Sequence, residues 1–423
     1  MRIGFFVGEY PPRIVSGVGM YAANISQAMK NQGHDISVFT MNDGTLKTRE
    51  TLQGVDVNRP LLVNGSTILP QLLTKDDLLI SGTGIQFFND VLIYNILSAA
   101  KFINQLMKKE GLVFDIISAH DWLSAMAGII IKQETGLPFV FHLHSTELVR
   151  SPLGEGSLVV RHIEKTAAGV ADRVITACYP RHEYLATHGF DPMKMTVCWN
   201  AVNFAQYDPL IIKPETIRAL RSRYGIEPEE RMLLFVGGLA QIGGVVNLVK
   251  AMQLVTRTHP EVKLVILGKG EFEQDVSNLI TELGLRDTIK TRFEYVTEEE
   301  RITHYGACDA VICPTLHEPC SIISLEAMAM KKPVILGCKG ICYSCDHIVP
   351  SGHDQTGVLI DGSNYADLAW EICSLLKDIR SAREMGKRGR KRVEKYLTWD
   401  KIAEFTIALY EDVINEVKNK KRE

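Results

Sequence analysis

The chain has 423 residues, 46% of them hydrophobic and 23% charged, with a net charge of −3. This length supports two domains with sizeable cores. The charge gives no basic field for nucleic acid, and no apolar run is long enough for a membrane span. Nine cysteines in a chain this long, most of them inside predicted strands and helices, point to reduced thiols and a cytoplasmic protein. The N-terminal MRIGFFVGEYPP passes from a short apolar run into a turn. It reads as a first strand, with no signal-peptide cleavage pattern. The C-terminal KNKKRE reads as a solvated charged tail, so membrane association is peripheral at most.

Apolar periodicity predicts a strand over Ile3–Val7, a loop over Gly8–Gly19, a helix from Met20 to Asn31 closed by Gly33, and a strand over Ile36–Thr40. This βαβ opening starts a doubly wound sheet, in which ligands bind beyond the carboxyl ends of strands. Gly17 and Gly19 would let a phosphate approach the backbone, and they serve a plain tight turn equally well. Arg13 is either a phosphate contact or a solvated loop arginine. Between residues 41 and 86 only a strand near Val55–Val57 is legible. A helix follows over Asp90–Lys109. A buried strand from Phe114 ends in the polar His120-Asp121-Trp122, and the next helix, with Asp121 near its N-cap, runs to about Gln133. Strand Pro138–Leu143 leads into His144-Ser145-Thr146-Glu147. His142 points to the same side of that strand as His144. Helix Leu158–Gly169, strand Arg173–Ala177, helix Pro180–His188 and strand Met195–Cys198 close the half.

Residues 205–228 read as a linker with a short helix. A second sheet begins with Met232–Val236, followed by helix 244–258, strand 262–267, helix 271–284, strand 288–293, helix 297–305 and strand 309–313. The repeated βα rhythm in each half implies two Rossmann-like domains facing across a cleft; a single barrel is the topological alternative, and the break at 205–228 speaks against it. The stretch Cys313–Val334, CPTLHEPCSIISLEAMAMKKPV, reads as strand end, tight loop, helix from near Ser321, and next strand. It carries two carboxylates eight residues apart, Glu318 in the loop and Glu326 in the helix. A loop entering a helix N-terminus offers backbone N–H groups to an anion, and a carboxylate beside it accepts hydrogen bonds from sugar hydroxyls. Cys338, Cys342 and Cys345 have a cluster-like spacing that chance also explains. A strand at Thr356–Ile360, helices over 364–377 and 380–395, and an amphipathic helix from Leu397-Thr398-Trp399-Asp400 to about Lys418 complete the chain.

Glu318-Pro319-Cys320-Ser321-Ile322-Ile323-Ser324-Leu325-Glu326-Ala327-Met328-Ala329 resembles the E-P-F-G-I-x-x-L-E-A-M-A motif of retaining GT-B glycosyltransferases, family 4, with similarity to glycogen and starch synthases. The resemblance implies an N-terminal acceptor-side domain over 1–204, a linker over 205–228, a nucleotide-sugar domain over 229–395, and a terminal helix over 396–423 packing back across the junction. It implies that Glu318 lies at the donor sugar and Glu326 on the ribose hydroxyls. Cys320, Ser321 and Ile322 would present backbone to sugar and phosphate, and His144 would stand at the reacting face with His142 as its rival. His120 and Asp121, in an HDW tripeptide, would face the acceptor. Where the family has two adjacent glycines, Ser16-Gly17 keeps one of them, with Gly19 nearby. Gly268-Lys269-Gly270 fits its G-x-G loop near the donor base, and Asn200 and Val202 keep part of its P-N-G-V-D.

The family pattern G-R-L-x-x-x-K-G reads here Gly237-Gly238-Leu239-Ala240-Gln241-Ile242-Gly243-Gly244. Gly238 and Gly243 replace the arginine and lysine that hold the departing diphosphate, charged contacts that backbone alone does not reproduce. Lys269, Lys339 or Arg13 are the candidates to compensate. The expected activity is hexosyl transfer with retention, from a nucleoside-diphosphate sugar to a glycan or small-molecule acceptor. The sugar nucleotide is a co-substrate, and no metal or other cofactor is required. The rival is a catalytically weakened GT-B protein that binds nucleotide or glycan for regulation. A GT-B epimerase fits the fold but not the Glu318–Glu326 region.

Overall fold

The computed structural model describes residues 1–14, 16–62, 84–150, 156–316, 322–338 and 345–421. Glu318, Cys320, Ser321, Lys339 and Cys342 lie outside the described residues. The chain divides into two compact units: residues 1–177, 182–198 and 402–423 form the first, and residues 178–181 and 199–401 the second.

Among the described residues the first unit holds an eight-stranded sheet. Its strands are β1 (Arg2–Phe6), β2 (Asp35–Phe39), β3 (Arg49–Leu52), β4 (Val55–Asn58), β5 (Ile116–His120), β6 (Phe139–Leu143), β7 (Arg173–Thr176) and β8 (Met195–Val197). They lie in the order β3-β4-β2-β1-β5-β6-β7-β8, parallel except for β3. Ile3, Phe5 and Phe6 of β1 are wholly buried, as expected of a parallel strand covered on both faces. Ser16 caps helix Gly17–Asn31 by accepting the Val18 N–H. Helix Gly84–Ala100 continues in a wider π-type turn over Lys101–Lys109, where a single α-helix was expected. Strand β3 was not anticipated: it pairs antiparallel to β4 through a Gln53-Gly54 turn with φ of 49° and 84°.

The second unit carries β9 (Arg231–Val236), β10 (Val262–Leu267), β11 (Ile289–Arg292), β12 (Ala310–Cys313), β13 (Val334–Gly337) and β14 (Val358–Ile360). Their order is β11-β10-β9-β12-β13-β14, all parallel. Both units are thus doubly wound α/β sheets. Strand order reverses between β1 and β5 in the first and between β9 and β12 in the second. At such a reversal the flanking loops diverge and leave a crevice at the carboxyl ends of the strands.

Residues 205–228 are not a free linker. Helix Pro214–Arg223 lies within them, and Tyr207, Leu220 and Ile226 are buried in the second unit's core. The first unit's strands end before residue 199 rather than at 204, and Val202 N–H bonds the Leu397 carbonyl. The last helix, Trp399–Lys420, joins the first unit from residue 402 onward. There it buries Ile402, Val413 and Ile414, and Lys421 Nζ reaches the Gly136 carbonyl at 2.9 Å. The expectation of reduced thiols fails at one pair, since Cys338 and Cys345 form a disulfide. Among the described residues no helix is long and apolar enough to cross a membrane.

Candidate active site

In the second unit three loops meet at the carboxyl ends of β9, β10 and β12. Leu239 N–H donates to the Lys269 carbonyl (3.0 Å), Phe272 N–H to the Leu239 carbonyl (2.9 Å), and Leu316 N–H to the Ile242 carbonyl (2.8 Å). Glycine makes this stacking possible. A Cβ on Gly268 would lie 1.8 Å from the Gly237 carbonyl oxygen, and one on Gly244, where φ is 68°, would lie 1.9 Å from the Pro314 carbonyl oxygen. Gly243 is less tight but still crowded, with its Cβ position 2.6 Å from the Gly238 carbonyl oxygen, whereas Gly238 faces open space. The two missing bases are therefore unlike. An arginine side chain fits at 238, but a lysine at 243 requires the backbone to move. Lys269 is exposed on the loop whose backbone bonds Leu239.

Helix Ile322–Ala329 begins beyond the β12 loop, and Glu326 lies inside it. The resemblance gives Glu326 to ribose hydroxyls, but the structure gives its oxygens other partners. Oε1 accepts from the Tyr207 hydroxyl (2.7 Å) and an Arg301 terminal nitrogen (2.9 Å). Oε2 accepts from Arg301 Nε (3.0 Å) and the Tyr305 hydroxyl (2.8 Å). Four donors fill the four lone-pair sites of a carboxylate, and the side chain is 5% exposed. Burial pushes the Glu326 carboxyl up, against the pull of Arg301 and the two phenols. In this arrangement the Glu326 carboxylate ties its helix to Tyr207, Arg301 and Tyr305. Tyr207, Arg301 and Tyr305 escaped the sequence reading. Arg301 and Tyr305 are four apart on helix Glu298–Ala307, a legible same-face pair, but Tyr207 is 119 residues from Glu326.

In the first unit His120 ends β5, and His144 follows β6. Asp121 stands at the N-cap position yet makes no side-chain cap. Its φ is 54°, uncommon outside glycine, and its Oδ1 instead accepts the backbone N–H of His144 (2.7 Å) and Ser145 (3.2 Å). Its own N–H bonds the His142 carbonyl at 2.8 Å. Asp121 thus ties the end of β5 to the turn that carries His144. His120 Nδ1 and His144 Nε2 lie 2.9 Å apart. His142, the rival on sequence grounds, is buried with its Nε2 on the Tyr410 hydroxyl at 2.8 Å, whereas His144 is half-buried. Burial, and then the neighbouring imidazoles, hold His120 and His142 well below the ordinary histidine range, so both are neutral at pH 7.

Gly17 opens its helix and is exposed. A Cβ on Gly19 would come within 3.1 Å of Glu9, so this glycine serves the approach of loop to helix. Arg13 faces Asp43 across 3.6 Å. Beside them, at the ends of β1 and β2, lies a cavity of about 430 Å³ whose walls include Glu9, Asn42, Asp43, Phe87 and Asp90.

The turn after His144 is held by Glu164, whose oxygens accept the Glu147 N–H at 3.0 and 3.1 Å. Burial pushes its carboxyl up to about 8, opposed by Arg150. A carboxyl raised in the folded state keeps its proton there between its unfolded value and about 8, so stability falls as pH rises through that window. Glu164→Gln removes this loss. Its Tm is expected to gain on the parent by at least about 2 °C between about pH 5 and about pH 9; a Tm difference that does not change with pH would contradict this role.

Comparison with known proteins bears on both units. Residues 15–206 match Glycosyltransferase Family 4, and residues 216–392 match Glycosyl transferases group 1. An uncharacterized glycosyltransferase of Methanocaldococcus jannaschii is 27% identical over 97% of this chain and 98% of its own length. A glycogen synthase of Mycobacterium tuberculosis is 27% identical over 97% of this chain and 94% of its own. Among solved structures, Anabaena HepE in complex with UDP-glucose has the same fold, with a TM-score of 0.71 at 19% identity over 97% of this chain and 100% of that one. With each half matched by one of the paired glycosyltransferase families and both built as doubly wound parallel sheets, the chain belongs to the GT-B glycosyltransferases.

Proposed function

We propose that this enzyme transfers a hexosyl group, with retention at the anomeric carbon, from a nucleoside-diphosphate sugar to a polyhydroxy acceptor. The observation that carries the reading is the glycine-built cradle at the strand-order reversal of the second unit, together with the Glu318-x7-Glu326 pattern that follows β12 in the sequence. The sugar C1–diphosphate bond breaks through a transition state of oxocarbenium character as the acceptor hydroxyl bonds to C1 and gives its proton to the departing diphosphate. Backbone N–H groups of the 237–244 loop and the Lys269 ammonium take the charge that grows on the diphosphate, in place of the family's arginine and lysine. Glu318 faces the donor sugar. His144, oriented by Asp121 and His120, stands at the reacting carbon. The scheme uses no metal.

The donor to test first is UDP-glucose, which HepE binds on the same fold. The acceptor reading rests on the first unit's cavity, whose walls carry three carboxylates, Arg13 matched to Asp43, and the Phe87 ring. Carboxylates and amide carbonyls accept hydrogen bonds from hydroxyls, and the carboxylates repel phosphate, which favours an uncharged sugar or polyol. The test is diphosphate release from UDP-glucose, GDP-mannose and ADP-glucose across a panel of neutral and phosphorylated acceptors. The expected result is turnover with one donor, better with neutral acceptors, and lowered on the order of 10²-fold by Glu318→Gln. Saturable donor binding without turnover would support the regulatory reading, which the loss of both bases at Gly238 and Gly243 motivates.

A further inference from the structure

Sugar transfer employs His144 but gives no reason for three histidines to converge. His120 of β5 and His142 of β6 face each other in the parallel register, and His144 lies two residues beyond. Their rings run nearly parallel, with centroids of His120 and His142 4.2 Å apart and of His120 and His144 5.3 Å apart. One ring nitrogen from each residue lies within 4.8 Å of those of the other two. His120 and His142 are each 1% exposed, and His120 Nε2 and His142 Nδ1 are buried without a hydrogen-bond partner. An unmatched buried polar nitrogen costs on the order of 1–3 kcal/mol, so the orphaned His142 Nδ1 in the same cluster as the His120 Nδ1–His144 Nε2 pair calls for an explanation.

We propose that the first unit binds one divalent transition-metal ion through His120, His142 and His144, with a fourth position left to water. Three imidazoles without a carboxylate among them suit the zinc, cobalt, nickel and copper class, whereas magnesium and calcium demand oxygen. The cluster also has the outer partner that metal-bound histidines commonly keep: His142 Nε2 rests on the Tyr410 hydroxyl at 2.8 Å, which directs the Nδ1 edge toward the site. Nitrogens on a zinc shell of about 2.0–2.1 Å stand roughly 3.3 Å apart in tetrahedral geometry. The His120–His144 contact of 2.9 Å therefore opens slightly on binding, and the third nitrogen closes in. His144, half-buried, is the side from which an ion enters. The binding claim stands apart from the proposed transfer reaction. Its consequence for activity rests on that reaction: an ion on His144 removes it from the reacting face, so the loaded enzyme loses turnover.

The experiment is calorimetric titration of the full chain with Zn²⁺, paired with visible absorption after Co²⁺ addition. One site per chain is expected, with the d–d bands of a low-coordinate cobalt site and no thiolate charge-transfer band. His142→Leu should weaken binding at least about 100-fold. Tyr410→Phe keeps all three imidazoles and should weaken it about 10-fold, the scale of an outer-partner loss. Circular dichroism checks that both variants fold, and Tyr410→Phe carries the test if the leucine does not. Absence of saturable Zn²⁺ binding, a thiolate band, or unchanged affinity in the folded variants overturns the proposal.

Discussion

Arg301→Ala is expected to destabilise the second unit by about 3–5 kcal/mol, because it leaves the Glu326 carboxylate buried without its cation. Arg301 contributes two of the four hydrogen bonds to Glu326 and also donates to the Tyr207 hydroxyl at 2.8 Å. It thereby joins helix Glu298–Ala307, helix Ile322–Ala329 and the segment around Tyr207 in one buried network. Truncating either charged partner strands the other. A double exchange to Leu at 301 and 326 should recover part of the loss, since an apolar pair carries no desolvation penalty. Urea unfolding of the parent, the single variants and the double variant measures this. Should Arg301→Ala unfold at the parental urea midpoint while the KM for donor rises, the carboxylate serves the ligand and the network reading falls.

Gly238→Arg is expected to raise turnover on the order of 10²-fold, the scale on which one preorganised charge at a departing group acts. No heavy atom lies within 4 Å of a Cβ built there, so the arginine enters without displacing backbone. Gly243→Lys, the other step toward the family pattern, is expected to lower stability and to add no rate, because its Cβ would press on the Gly238 carbonyl oxygen at 2.6 Å. The two variants therefore separate, one in rate and the other in stability. Lys269→Ala should lower the parental rate and have a smaller effect in the Gly238→Arg background, because the arginine takes over the same charge. Steady-state diphosphate release reads the parent and all four variants. Equal rates in parent and Gly238→Arg would mean that the cradle does not hold the diphosphate.

The sheet strands were legible because parallel strands covered on both faces are written as unbroken apolar runs. Leu233, Leu234 and Phe235 in β9 and Leu264–Leu267 in β10 are such runs, and all are buried. Strand β3, Arg49-Glu50-Thr51-Leu52, has no such run; it is a polar edge strand, and only its Gln53-Gly54 turn marks it. Asp121 was read as a helix cap from its place before Trp122. Its backbone instead turns left-handed and its carboxylate reaches the turn after β6, a bond that depends on how two strands pair and not on local spacing. The motif around Glu326 stood out as a resemblance, yet the partners that occupy the carboxylate come from distant segments. Whether Gly243 could ever be a lysine was equally hidden, because the answer lies in the carbonyl of Gly238 and not in the motif itself. Residues 205–228 looked like a linker with a short helix because Pro209, Pro214, Gly225 and Pro228 interrupt them, but Tyr207, Leu220 and Ile226 anchor them in the core.

The measurement that tests the central claim most directly is proton NMR of the purified enzyme with UDP-glucose and a panel of neutral sugar acceptors, following the anomeric signals of donor and product. The account predicts an α-linked product formed from the α-linked donor, UDP released in equal amount, and both lost together in Glu318→Gln. A β-linked product, or donor consumed at the same rate in Glu318→Gln, would contradict it.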